Sequence, residues 1–137
     1  MTIKEISQTI VEEFSMFDEW MDKYEYLIDL GKQMPVINEA AKTDDTLIAG
    51  CQSRVWLDCE MKDGLLYFSA DSDAIITKGI ISLLIRVFNG QSPKDIAVAN
   101  VDFIEKIGLK ENLSPTRANG LLAMISKIKT YARSFIK

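Results

Sequence analysis

Cys51 and Cys59 are the only thiols in this chain, and there is no histidine to serve either as a base. Cysteine proteases and related acyl-transfer enzymes pair the thiol with an imidazole that takes its proton, so that chemistry cannot be built here. Two cysteines are also too few to hold zinc, or an iron–sulfur cluster within one chain, which argues against a scaffold that assembles clusters itself. Gly50, Gly64 and Gly79 lie too far apart for a phosphate-cradling loop. The carboxylates of Glu12, Glu13, Asp44, Asp45, Asp71 and Asp73 read as solvated faces or helix caps rather than acid–base groups.

The thiols remain. Cys59 alternates with Val55, Leu57 and Met61 on one face of an expected strand, where a cysteine behaves as a small apolar residue. Cys51 differs: it follows Gly50 and precedes the polar Gln52 and Ser53. A glycine there permits a sharp turn that projects the next side chain. Spacing alone leaves open whether Cys51 is a reactive thiol or a structural loop cysteine.

The elements that position these residues follow from patterning. Thr2 and Glu5 form a capping box for a first helix, with Ile3, Ile6, Ile10, Phe14 and Phe17 at helical spacing. A second helix is expected over residues 18–31, burying Trp20, Tyr24, Leu27 and Ile28. "KQMP" breaks it, and residues 36–41 suggest a short third helix. Alternation then predicts a strand through Val55 to Met61, an Asp63-Gly64 hairpin turn and a returning strand "LLYFSA". A short strand before Gly50 would complete a three-stranded antiparallel sheet. Asp71, Ser72 and Asp73 are expected to cap "AIITKGIISLLIRVF", whose one polar stripe is Lys78, Ser82 and Arg86; this is the central buried helix. Gly79 inside it marks a close backbone approach. Asn89-Gly90 ends it. Ser92-Pro93 opens a short helix, residues 101–107 another, and Ser114-Pro115 a long final one. The stripe of that last helix is Ala118, Leu121, Leu122, Ile125, Ile128, Ala132 and Phe135. The reading is α+β: a small sheet packed against several helices, one domain over residues 1–137.

A length of 137 residues, 47% of them hydrophobic, suits that single core. The net charge of -4 argues against nucleic acid as a main partner. The C-terminal Lys127, Lys129, Arg133 and Lys137 read as a solvated helix end. No signal peptide or membrane span is expected, and the thiols suit the reducing cytoplasm.

Four blocks together resemble the SufE family of sulfur acceptors: "YEYLIDLGKQMP" (24–35), "GCQSRVWL" (50–57), "SDAIITKGIISLL" (72–84) and "LSPTRANGLLAM" (113–124). They fall in family order; Thr116 stands where the family often has serine. The resemblance implies an α+β fold shared with IscU-type scaffolds. It implies an accessory protein of iron–sulfur cluster assembly that accepts persulfide sulfur on Cys51 from a SufS-like cysteine desulfurase, stimulating it. The sulfur then passes to a SufBCD-like scaffold complex. Pyridoxal phosphate would belong to the desulfurase only; no cofactor or metal is expected here. Gly50, Gln52, Ser53, Arg54, Trp56, Asp73 and Arg117 are the supporting or partner-binding candidates, with Arg54 and Arg117 the cations to examine beside the thiol. Alternatives are a thiol redox protein using Cys51 with Cys59, and an interaction module whose cysteine is incidental. Oligomeric state is left open, a homodimer included.

Overall fold

The structure, a computed structural model, describes residues 2–50 and 53–136. Helix α1 (Ile3–Ser15) starts at the expected capping box: the Thr2 side chain accepts from the Glu5 N–H, and the Glu5 carboxylate accepts from the Thr2 N–H. Helix α2 (Trp20–Lys32) follows, burying Leu27 and Gly31. The expected helix over 36–41 is only a 3-10 turn, Glu39–Ala41, capped by the Asn38 side chain. Val36 upstream is instead spent on a parallel bridge to Ala70.

Strands β1 (Val55–Lys62) and β2 (Leu65–Ser72) pair antiparallel through the hairpin. Asp63 and Gly64 both have positive φ, as a two-residue turn matched to the strand twist requires. Among the described residues the sheet has two strands rather than three. The segment before Gly50 makes a single bridge, Leu47 to Trp56, through bonds from the Leu57 N–H to the Thr46 carbonyl and from the Ile48 N–H to the Val55 carbonyl. It stays short because a turn closed by the Thr46 hydroxyl on the Ala41 and Thr43 carbonyls takes up the chain upstream. Downstream, Gly50 at φ 91° turns the chain away.

Helix α3 (Ile75–Phe88) is the buried centre, packed on α2 and on β2. Gly79 meets Gly31 at the α2–α3 crossing, where a Cβ on Gly79 would fall 2.6 Å from the Leu27 carbonyl carbon. The expected cap of α3 is absent. Its N-cap is Ala74, with no side-chain bond, because each candidate has another partner. Asp71 faces Lys42 and Lys78, the Ser72 hydroxyl accepts from the Ala74 N–H, and Asp73 accepts from the Arg54 N–H. The polar stripe is fully engaged: Lys78 pairs with Asp71, Ser82 donates to the Leu30 carbonyl, and Arg86 binds both oxygens of Glu13. Glu13 is therefore not a solvated carboxylate. Arg86, with the Tyr26 hydroxyl, holds it below the ordinary range against the cost of burial.

Helix α4 (Pro93–Ala97) is capped by Ser92 as expected, whereas α5 (Phe103–Lys106) is shorter than 101–107. Helix α6 (Pro115–Ser134) begins at Ser114, whose hydroxyl accepts from the Arg117 N–H. Its buried face is rotated from the expected stripe. Gly120 and Met124 face the core with Leu121, Ile125, Ile128 and Ala132, while Leu122 is 49% exposed and Phe135 39% exposed. One apolar cluster joins residues from all six helices and both strands. No helix among the described residues is long and apolar enough to cross a membrane.

Candidate functional site

Cys51 and Gln52 lie outside the described residues, so the site is built from what flanks them. On one side is Gly50, exposed, at a φ of 91° that side chains rarely adopt; a Cβ there would stand 3.5 Å from the Ala123 Cβ of α6. On the other side is half-buried Ser53, on the rim of a recess of about 80 Å³. Thr77 and Ile80 of α3 and Thr116, Arg117, Gly120 and Met124 of α6 line the rest of it. The central helix and the last helix thus meet beside the segment that bears Cys51. Sequence reasoning singled out Gly50, Ser53 and Arg117. Thr77, Gly120 and Met124 were missed, since only the packing of α3 on α6 brings them together.

The start of β1 is fixed by Asp73. Its carboxylate accepts from the Arg54 N–H at 3.0 Å, and its N–H donates to the Arg54 carbonyl at 3.2 Å. The Arg54 side chain is exposed and, like Arg117, makes no ion pair among the described residues. Trp56 is half-buried, with the Lys42 ammonium 5.1 Å from its ring centroid and Asp71 opposite it on β2. Lys42 Nζ is 2.7 Å from Asp71 and 3.1 Å from Glu39, contacts that raise its pKa, Asp71 first. Burial pushes Asp71 up, but Lys42, the Ser72 N–H and Lys78 outweigh it and hold the carboxyl below its usual range.

Cys59 pairs with Phe68 on β2 and lies half-buried against the core. Burial, with the Asp58 charge as a second cause, pushes its thiol up to about 12. A thiol so held is protonated at neutral pH and inert as a nucleophile. No group of three or more His, Cys, Asp or Glu side chains is placed to hold a metal ion among the described residues.

A larger cleft, about 490 Å³, lies elsewhere, between α1 and the α4–α5 region, with Lys4, Asp95, Asp102, Phe103 and Lys106 in its lining. Among the described residues no thiol lines it.

The fold is shared with a known structure: the solution structure of a hypothetical protein from Thermus thermophilus superimposes with a TM-score of 0.78. It covers 94% of each chain at 18% identity, which speaks to architecture alone. Sequence carries the relationship further. A family model, SufE, the Fe-S metabolism associated domain, matches residues 8–132. A SufE-like protein of Rhizobium meliloti is 40% identical over 128 residues, covering 90% of this chain and 91% of its own. One from Synechocystis is 36% identical over 126 residues, covering 92% and 79%. The chain belongs to the SufE family, and its role lies in Fe-S metabolism.

Proposed function

We propose that this protein is a single-domain sulfur carrier that takes persulfide sulfur onto Cys51 from a cysteine desulfurase, stimulates that enzyme, and passes the sulfur to a cluster scaffold complex. The observation that carries the reading is the construction around Cys51: a left-handed Gly50 before it, and after it Ser53 on a recess that also bears Arg117. The recess is too small for a metabolite, since small-molecule sites run to several hundred Å³. At about 80 Å³ it has room for a group of a few atoms, such as a sulfur-bearing side-chain end. The chemistry needs no resident base. A thiolate at Cys51 attacks the outer sulfur of the donor persulfide, the S–S bond breaks, and the donor cysteine leaves as thiolate. Cations unpaired among the described residues, Arg54 and Arg117, favour the thiolate form at such a position. The exposed Arg54 and half-buried Trp56 are assigned to the partner-facing surface around the loop. A carrier of this kind works in a reducing compartment, the cytoplasm, and needs no metal or cofactor of its own; pyridoxal phosphate belongs to the desulfurase.

The test is incubation with a cysteine desulfurase and cysteine, followed by peptide mass spectrometry. Sulfur should appear on Cys51 and desulfurase turnover should rise. Cys51→Ser should abolish both while keeping the fold. Sulfur that accumulates on Cys59 in that variant would overturn the assignment.

A further inference from the structure

Both stems of the segment carrying Cys51 are tied to one face of α6. Lys127 Nζ donates to the Asp45 carbonyl at 3.1 Å, upstream of the thiol. The Tyr131 hydroxyl donates to the Leu57 carbonyl at 2.7 Å, downstream of it. The two anchors support each other, since the Lys127 ammonium stands 5.1 Å from the Tyr131 ring centroid. Between them the stems are bonded together, Ile48 N–H to the Val55 carbonyl at 2.8 Å and Leu57 N–H to the Thr46 carbonyl at 2.9 Å. Gly50 lies over Ala123 of the same helix. Gly120, Ala123, Met124, Lys127 and Tyr131 recur at three- and four-residue steps, which places them along one face. Lys129 makes the same kind of bond, 2.6 Å to a carbonyl, but to Ala99, in a different part of the chain.

We propose that Lys127 and Tyr131 are positioning residues: they clamp both stems of the Cys51 segment to α6 and so set where its thiol is presented. This rests on Cys51 being the sulfur acceptor. The clamp also accounts for two polar groups that sulfur chemistry does not itself require. A lysine reaching a carbonyl across the fold gives up side-chain freedom, and here both bonds fall on the stems of one segment.

Four variants test it: Lys127→Met, Tyr131→Phe, the conservative Lys127→Arg, and Lys129→Met as a control that loses the same charge from the same helix. The readouts are amide hydrogen exchange at Ile48 and Leu57, and the rate of sulfur acceptance across a range of desulfurase concentrations. Lys127→Met and Tyr131→Phe should quicken exchange at both amides by roughly three- to tenfold, as loss of one hydrogen bond gives. Acceptance at saturating desulfurase should fall by a similar factor with the half-saturating concentration unchanged. Lys127→Arg should restore both, and Lys129→Met should move neither. Wild-type exchange in both Lys127→Met and Tyr131→Phe would overturn the clamp. So would faster exchange with undiminished acceptance. If the wild-type protein accepts no sulfur at all, the functional reading fails, and the exchange rates, which need no desulfurase, still decide whether the clamp exists.

Discussion

Cys59 should be chemically silent in the folded protein, and the structure says by how much. Its thiol is held at about 12 by burial and, secondarily, by Asp58, against an ordinary value of 9.0. At pH 8 a thiol near 9 is about one-tenth ionised, and one near 12 about one part in ten thousand, a loss of roughly a thousandfold in reactive thiolate. The perturbation is Cys51→Ser, which leaves Cys59 as the sole thiol. The assay is iodoacetamide alkylation at pH 8, followed by intact mass, with the protein native and again in strong urea. Native labelling should be slower than denatured labelling by roughly a thousandfold, because alkylation tracks the thiolate. Folded and unfolded rates within tenfold of each other would refute the burial argument. The same property bears on the dithiol alternative. A resolving cysteine must ionise to attack its oxidised partner, so peroxide treatment of the wild-type protein should leave Cys51 and Cys59 unlinked.

Three other outcomes follow from the packing and the titrations. Gly79→Ala gains about 1 kcal/mol of helix propensity but drives a Cβ into the Leu27 carbonyl; with overpacking at about 1–3 kcal/mol or more, the urea midpoint should fall, and an unchanged midpoint would count against the close crossing. Glu13→Gln should cost about 1–3 kcal/mol by chemical denaturation, since it leaves Arg86 half-buried without its anionic partner. Because Arg86 holds Glu13 below 4.5, this contribution is present above that pH and lost as pH falls through the folded value; the variant should show a shallower acid decline. Cys59 and Tyr131 are both raised to about 12, burial first in each case, from 9.0 and 10.0. Raised values contribute stability below the unfolded pKa that is lost as pH rises through the folded one, so thermal midpoints should drop between about pH 9 and 12. Tyr131→Phe should remove part of that drop.

What could be read from sequence was whatever depends on neighbours along the chain. The Thr2–Glu5 box, the Asp63-Gly64 turn and the caps at Ser92 and Ser114 are local hydrogen-bond devices, and each stands where its residue types put it. Gly79 was legible too, because an unfavourable residue in a buried helix needs a packing reason, and Leu27 and Gly31 supply it. What failed depends on distant partners. Asp71 and Asp73 look like parts of a helix cap until Lys42 and Lys78 pair with the first and the Arg54 N–H binds the second. Glu13 looks solvated until Arg86, far along the chain, crosses to it. Leu122 fits a helical stripe that the real packing of α6 rotates away from, towards Gly120 and Met124.

The same division runs through the candidate site. Its candidate thiol could be nominated from residue types: one thiol follows a glycine and the other falls on a strand face. Its surroundings could not, because the recess is made by α3 and α6, which approach each other only in the folded chain. That matters for a protein without histidine. On the proposed function, with no histidine to act as base, the rate of sulfur transfer depends on how a thiolate is presented and what charge surrounds it. Both are properties of the frame: the Asp73 bonds that fix the start of β1, the α6 face that ties down both stems, and Arg117 in the lining of the recess. Substitutions in that frame should therefore alter transfer without touching the nucleophile. Asp73→Ala, which frees the Arg54 N–H, should slow acceptance while leaving Cys59 as unreactive as before. Loss of acceptance together with exposure of Cys59 would show instead that Asp73 holds the whole hairpin, not the site.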